Sequence, residues 1–367
     1  MEIVSTTGVN GAVSHAMLLS KELARRGHRM TLVCLPDSWI RRKISREPVR
    51  IVESDLRHWR VDEVIRMRRV ARSEGVEVIH THMSRANFFG QIVSWATGIP
   101  CVAAAHAHNI QPNWMFHRRV IAPSQATARF HRRYNLVRRR RLDVVHNFVD
   151  VRSFVGLPVE AREEVRASLG VNGASLVIGT VGAVIPKKGL GFLVRSLGEI
   201  RAMVPDVRLV VVGSGRGDYI QRLKDEAKRS GVSSCILWAG HCGEVPRLLQ
   251  AMDVFVHPSL RETLPTAVIE AMASALPVVA TTVAGTPECV VHGETGFLVP
   301  PADHRALAGS VTTLLRNEAL RARFGAAGRA RALEGFSVET QVPKIEAVLS
   351  RAVAGAGRRG DPLSPRR

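Results

Sequence analysis

The 367-residue chain holds 46 % hydrophobic but only 5 % aromatic residues, and its 52 Lys and Arg against 32 Asp and Glu give a net charge of +20. That size and apolar content suit two domains with real cores and exclude a disordered chain, while the thin aromatic supply argues against base-stacking platforms, so no nucleic-acid partner is expected. Five scattered cysteines without a C-x-x-C pair offer no disulfide or zinc framework and fit a reducing cytosol, no apolar run reaches the roughly 20 residues of a membrane span, and Glu2 directly before Ile3 and Val4 does not read as a signal peptide.

Residues 2–6 read as a first strand, Gly8-Val9-Asn10-Gly11 as a glycine loop, and residues 14–26 as an amphipathic helix. Ser14 can cap that helix, with Leu18, Leu19 and Leu23 as its buried stripe. Gly27-His28 stops it, and residues 30–35 read as the second strand. Strand, glycine loop, helix, strand implies a parallel sheet, and glycines let the backbone approach a ligand closely. Residues 49–53 form a third strand and residues 61–73 a basic helix with Ile65, Met67 and Val70 apolar. A fourth strand over 76–79 ends in His80-Thr81-His82. A usable metal site needs at least three protein ligands, and with no third beside this pair no metal is expected.

A helix over 86–97 and a small-residue strand over 100–105 lead to His106. Ligands in open parallel sheets bind outside the carboxyl ends of strands. An imidazole there can hydrogen-bond a sugar hydroxyl or move a proton near neutral pH. His108 competes for that role, and capping of the strand is the plainer alternative. Residues 118–122 form a strand running into Pro123-Ser124. The basic stretch 129–141 ends in Arg138-Arg139-Arg140-Arg141, which cannot share one helical face and therefore reads as a loop or frayed end. Residues 1–150 hold 25 Lys and Arg against 12 Asp and Glu, whereas residues 151–367 hold 27 against 20. The surplus in the first half fits attraction to anionic lipid or a phosphorylated acceptor, and it also fits nucleic acid or a solvated Arg-rich surface.

After a linker over 151–174 with one short helix near 160–169, a strand over 176–181 opens a second βα series. Gly182-Ala183-Val184-Ile185-Pro186-Lys187-Lys188-Gly189 follows it, and a strand over 208–213 runs into Gly213-Ser214-Gly215. Strands over 235–239 and 253–257 flank a helix over 246–252. The stretch 258–277 then carries two carboxylates, Glu262 and Glu270, on either side of Pro265. Proline is favoured at a helix start, so Glu262 belongs to the loop and Glu270 lies about one turn into a helix over 266–274. The bare amides of such a start seat a phosphate, and carboxylates accept paired hydrogen bonds from vicinal hydroxyls. A strand over 276–281, glycine turns at 285–288 and 293–296, a helix over 303–315 and a last helix from Phe336-Ser337 complete the ordered chain. Residues 355–367 have the composition of a disordered tail, and no internal repeat of 20–50 residues is present.

Glu262-x7-Glu270, preceded by His257-Pro258-Ser259 and followed by Ala271-Met272-Ala273 and Pro277-Val278-Val279-Ala280, resembles glycosyltransferase family 4 over roughly residues 2–350. The resemblance implies an α/β protein of the GT-B fold, with two Rossmann-like domains of parallel strands facing a central cleft. The expected divisions are 1–155 on the acceptor side, 156–335 for the nucleotide sugar, a crossover helix over 336–354 and a basic tail over 355–367. It implies a retaining glycosyltransferase that moves a sugar from a nucleotide-sugar donor to a hydroxyl of a glycan or lipid-linked acceptor. Cell-envelope polysaccharide or lipopolysaccharide assembly is the implied setting, at the cytoplasmic face of the inner membrane, without a metal or organic cofactor. A nucleotide-sugar epimerase of the same fold, or a non-catalytic basic membrane- or nucleic-acid-binding protein, is the alternative.

By the same resemblance Glu270 grips the ribose, while Glu262 and the loop of Thr263, Leu264, Pro265 and Thr266, through the loop's backbone N–H groups, hold the sugar. Lys188 neutralises the diphosphate, Gly213 lies near the nucleotide with residues 238–242 bordering the base, and Gly11 and His106 close on the sugar. The family's His-x-His is not treated as a metal site. Three positions depart from the pattern: Asn10-Gly11 for two adjacent glycines, Phe148 for the Gly of an Asn-Gly-Val-Asp signature, and Ala183 for an Arg that would share the diphosphate with Lys188.

Overall fold

The computed structural model describes residues 1–56, 60–154, 156, 158–171 and 175–357. Short apolar runs alternate with helices, and each run adds a parallel strand. In the first unit these are β1 (Glu2–Val4), β2 (Met30–Cys34), β3 (Val49–Glu53), β4 (Ile79–His82), β5 (Cys101–Ala104), β6 (Arg119–Ala122) and β7 (Leu142–Val144). They lie in the order β3-β2-β1-β4-β5-β6-β7. The second unit has β8 (Val177–Val181), β9 (Arg208–Val212), β10 (Ile236–Gly240), β11 (Val254–His257), β12 (Val278–Thr281) and β13 (Gly296–Val299), in the order β10-β9-β8-β11-β12-β13. Winding reverses between β1 and β4 in one sheet and between β8 and β11 in the other. In an open α/β sheet such a reversal leaves a crevice outside the carboxyl ends of the two strands.

Successive strand residues face opposite sides of a sheet, so each sheet feeds two cores. Val4 packs with Leu19, Leu32, Val342 and Ile345, whereas Ile3 packs with Val33, Met67, Ile79 and Phe89. Likewise Val177 and Val210 enter one core of the second unit, and Ile178 and Val211 the other. The helix Val338–Gly357 covers the first sheet, so the first unit comprises residues 1–148 and the chain from Val338, and the second comprises Val149–Ser337. The divisions therefore fall after Phe148 and Ser337 rather than at 155 and 335. That last helix extends to Gly357, beyond the expected 354, while residues 358–367 of the expected tail lie outside the described residues.

Several local expectations shift. The first helix spans Gly11–Arg25, with Asn10 as its cap through Oδ1 bonds from the amides of Ala12 and Val13. An asparagine cap stabilises a helix start as well as serine does, which accounts for Asn10 in place of glycine. Strand β4 contains His80, Thr81 and His82 instead of ending before them. Pro265 occupies the cap position of the helix Thr266–Ala273, not its first turn. Arg139–Arg141 form one 3-10 turn with no buried side chain. Phe148 is 2 % exposed and sits 4.5 Å from the His15 ring, so the position usually held by glycine here serves as a core contact.

Two glycines fix the second crevice. Gly189 has φ +68°, and a Cβ there would lie 1.9 Å from the Pro258 carbonyl oxygen; Gly213 has φ +140°, and a Cβ there would lie 1.9 Å from the Gly182 oxygen. Both the left-handed backbone and the contact exclude larger residues. Gly189→Ala should lower the stability of the second unit by about 2 kcal/mol or more, read as a fall in its urea midpoint.

Candidate active site

The crevice of the second unit is built from the ends of β8 and β11. Beyond β11, Glu262 Oε1 accepts hydrogen bonds from Ser259 Oγ at 2.9 Å and His257 Nε2 at 2.9 Å, and it pairs with the Lys188 ammonium. Lys188 ends the 3-10 turn Pro186–Lys188 after β8. The Leu260 amide ties the two loops together by donating to the Lys187 carbonyl at 2.8 Å. Burial pushes the Glu262 carboxyl up, but the His257 hydrogen bond and the Lys188 ammonium hold it well below the usual carboxylate range. Burial lowers His257, so the ring is neutral and donates through its Nε2–H. All three contacts fall on Oε1, and among the described residues no donor reaches Oε2. An ammonium has three N–H groups, so Lys188 keeps donors beyond the one given to Glu262.

Leu264 is 2 % exposed and anchors the loop in the core beneath it, with Thr263 and Thr266 half-buried on either side of Leu264 and Pro265. The helix Thr266–Ala273 begins without any side-chain cap bond. Its first amides thus present the positive end of the helix. Glu270 is half-buried on this helix, and its carboxylate has no hydrogen-bond partner among the described residues. Desolvation alone raises its pKa to about 7. The two carboxylates of the motif therefore differ: Glu262 is ionised and paired, while Glu270 is poised between acid and carboxylate. Gly213 packs against Gly182 and shapes the loop after β8. Ala183 is exposed, and Arg216 is engaged by Asp218 at 3.1 Å.

In the first unit Gly11 is exposed at the helix start and His106 is half-buried past the end of β5. His106 Nε2 lies 2.9 Å from His82 Nδ1. His82 Nε2 lies 2.5 Å from Glu2 Oε2, and His80 Nδ1 lies 3.1 Å from Glu2 Oε1. Parallel registry creates the cluster, because β1 places Glu2 beside His80 and Val4 beside His82 of β4. A third candidate ligand therefore does stand beside His80 and His82, with ligand atoms within 4.8 Å of one another, contrary to the sequence expectation. Both Glu2 oxygens already take an imidazole N–H, while His80 Nε2 is buried with no hydrogen-bond partner among the described residues. His108 instead bonds Thr127 Oγ1 at 3.0 Å and stacks on Phe130. Sequence reasoning missed Glu2 and His15. The available signal was a carboxylate within an otherwise apolar parallel strand.

Two parallel Rossmann-like units define a GT-B protein. The family description "Glycosyl transferases group 1" matches residues 161–331, and "Glycosyltransferase Family 4" matches residues 9–153. The chain belongs to glycosyltransferase family 4. It is 30 % identical over 210 residues (56 % of this chain, 59 % of the relative) to the lipopolysaccharide core biosynthesis mannosyltransferase LpsB of Rhizobium meliloti. It is 32 % identical over 211 residues (55 % and 54 %) to a GDP-mannose-dependent phosphatidylinositol monomannoside mannosyltransferase of Mycolicibacterium smegmatis. The chain spans about half the length of these curated relatives. The crystal structure of Anabaena HepE with UDP and glucose shares the fold at a TM-score of 0.85 and 23 % identity, covering 95 % of this chain and 99 % of that one.

Because the Glu270 pKa is raised from 4.5 to about 7 in the folded state, the native protein binds the extra proton in that window. The contribution favours folding at low pH and is lost as pH rises through about 7. Relative to Glu270→Gln, the wild type should lose stability from about pH 5 to pH 7 and run parallel to it above pH 8, as read by urea unfolding at each pH.

Proposed function

We propose that this chain is a retaining glycosyltransferase that moves a sugar from a nucleotide-sugar donor to a hydroxyl of a glycan or lipid-linked acceptor, in the assembly of envelope polysaccharide or lipopolysaccharide. The observation that carries this reading is the switch-point arrangement of the second unit. There an ionised Glu262, Lys188 and a helix start without a side-chain cap bond are followed by Glu270, and among the described residues neither Glu262 Oε2 nor the Glu270 carboxylate has a hydrogen-bond partner. Lys188 and the helix amides take the charge of the leaving diphosphate, without a metal or organic cofactor. Glu262 Oε2 accepts from hydroxyls of the transferred sugar, and Glu270 from the ribose. The bond from the sugar's anomeric carbon to the diphosphate breaks, the acceptor oxygen bonds that carbon, and the acceptor's proton passes to the leaving phosphate. Mannosyltransferase relatives and the UDP-bound HepE neighbour support a nucleotide-sugar substrate.

The same reading places the enzyme in the cytoplasm, against an anionic inner-membrane face. Trp95, Ile110, Phe116, Tyr134 and Leu136 are exposed in the first unit, and the Trp95 and Phe116 rings lie 5.6 Å apart. Asn135 joins the loop to the basic stretch by donating to Asn109 O at 2.9 Å, and Arg141 does so through Met115 O at 2.7 Å. Apolar side chains set among Arg138, Arg139 and Arg140 suit a headgroup interface. Among the described residues no helix is long and apolar enough to cross a membrane.

Glu270→Ala and Lys188→Ala should each lower sugar transfer about 100-fold, measured as product from a panel of nucleotide sugars with a lipid-linked acceptor. Full activity in both removes the site, and an isomerised sugar nucleotide formed without acceptor replaces transfer by epimerisation. Affinity for the sugar donor should rise as pH increases through about 7, because the ionised Glu270 is the better acceptor. Vesicles with anionic lipid should retain the protein and neutral vesicles should not. Replacing Arg138, Arg139 and Arg140 by Ser should abolish that difference.

A further inference from the structure

The histidines at the first switch point form a directed chain of hydrogen bonds, and its direction can be read from the carboxylate. Burial pushes the Glu2 carboxyl up, but His80 and His82 together hold it well below the usual range, so it is ionised and only accepts. His82 must therefore present Nε2–H to Glu2 Oε2 at 2.5 Å. Burial lowers His82, so the ring is neutral and its Nδ1 is a bare lone pair. His106 Nε2, 2.9 Å away, can then satisfy that lone pair only by donating an N–H. Burial also lowers His106 well below its ordinary value, which leaves its Nδ1 as an acceptor.

We propose that Glu2 and His82 are positioning residues that lock His106 in the Nε2–H tautomer, so that Nδ1 accepts a hydrogen bond from a sugar hydroxyl. This role rests on the glycosyltransferase reading above. The lock is one-way, because every proton in it is assigned from the carboxylate outward. The other titratable group packed on it is His15, from the helix after β1, whose ring meets His106 edge-on at 5.3 Å and whose pKa burial lowers to about 3. A neutral His15 does not compete for Glu2. A histidine free to exchange tautomers would spend part of its time presenting N–H toward the hydroxyl, where it could not accept. Glu2 and His82 themselves are 1 % and 0 % exposed, so neither is open to a substrate in this structure, and they act through His106.

Imidazole tautomers are read directly by long-range ¹H–¹⁵N correlation of the full-length protein, with His106 assigned by its loss in His106→Gln. Wild type should show His106 protonated at Nε2 alone from pH 6 to pH 8. His82→Phe, which keeps the bulk and removes the acceptor, should give His106 mixed tautomers and a kcat about tenfold lower, with the KM for the nucleotide sugar within about twofold. An Nδ1–H tautomer in wild type overturns the proposal, as does a folded His82→Phe with wild-type ring signals and kcat. If His82→Phe does not fold, Glu2→Gln decides the question, since its amide cannot serve both imidazoles as acceptor. Unmixed Nε2–H in that variant likewise overturns the lock. Failure of wild type to transfer any sugar removes the functional reading, while the ring spectrum still decides the tautomer on its own.

Discussion

Reversal of winding order is the constraint from which both candidate sites follow. Each sheet steps outward from its first strand, then returns to lay a later strand on that strand's other edge. Right-handed crossovers on either side of the reversal send their helices to opposite faces. No crossover helix then fills the gap above the two central strands, and the loops leaving them line it. In the first unit this brings Glu2 of β1 beside His80 and His82 of β4. In the second it brings Lys188, beyond β8, to Glu262, beyond β11. The loops can come so close because Gly189 lies against the Pro258 carbonyl and Gly213 against Gly182.

The three carboxylates at or near these crevices are handled in different ways, and the differences separate scaffold from working parts. Burying an ion costs several kcal/mol unless hydrogen bonds and opposite charge offset it. Glu2 is answered inside the sheet by the imidazole N–H groups of His80 and His82, one on each oxygen. Glu262 is answered by a flexible lysine as well as by His257 and Ser259, on one oxygen only. That pairing holds the charge yet leaves room for another set of hydroxyls. Glu270 is answered by nothing among the described residues, and its raised pKa is the direct consequence. An unsatisfied half-buried carboxyl is unfavourable in isolation, and a ligand that donates to it removes that penalty.

Much of this was legible in the chain because parallel strands and their helices leave strong local signals. The βα alternation, the helix Val61–Ser73 and the strand Val49–Glu53 follow from periodicity alone. Other features depend on partners distant in sequence. The fourth strand was misplaced because His80 and His82 look polar until Glu2 satisfies them, and that pairing exists only once the sheet reverses. The first helix start was set late because Ser14 resembles a cap, whereas Asn10 caps it first. Pairing of Lys188 with Glu262 crosses 74 residues and could not be read from spacing. The short helix Trp39–Ile44 offers too few turns for a periodic pattern and went unseen.

The departures from the family pattern are physically consistent with the rest. Phe148 is not a forced substitution for glycine: it lies outside the positive-φ positions and packs its ring on His15, closing one side of the histidine cluster. Ala183 removes a cation from the loop after β8, and Arg216 does not simply replace it, since that side chain is drawn to Asp218. Lys187 is exposed beside Lys188 and can add only a screened charge. Under the proposed function, neutralisation of a diphosphate would therefore fall more heavily on Lys188 and on the helix start at Thr266 than it would with arginine at 183. Lys188 pairs with Glu262, and under the proposed function it would also have to meet the phosphates of the donor. A single ammonium can do both only if it keeps its contact with Glu262 while a second N–H turns to the phosphate, so the geometry of that pair sets how well the site works.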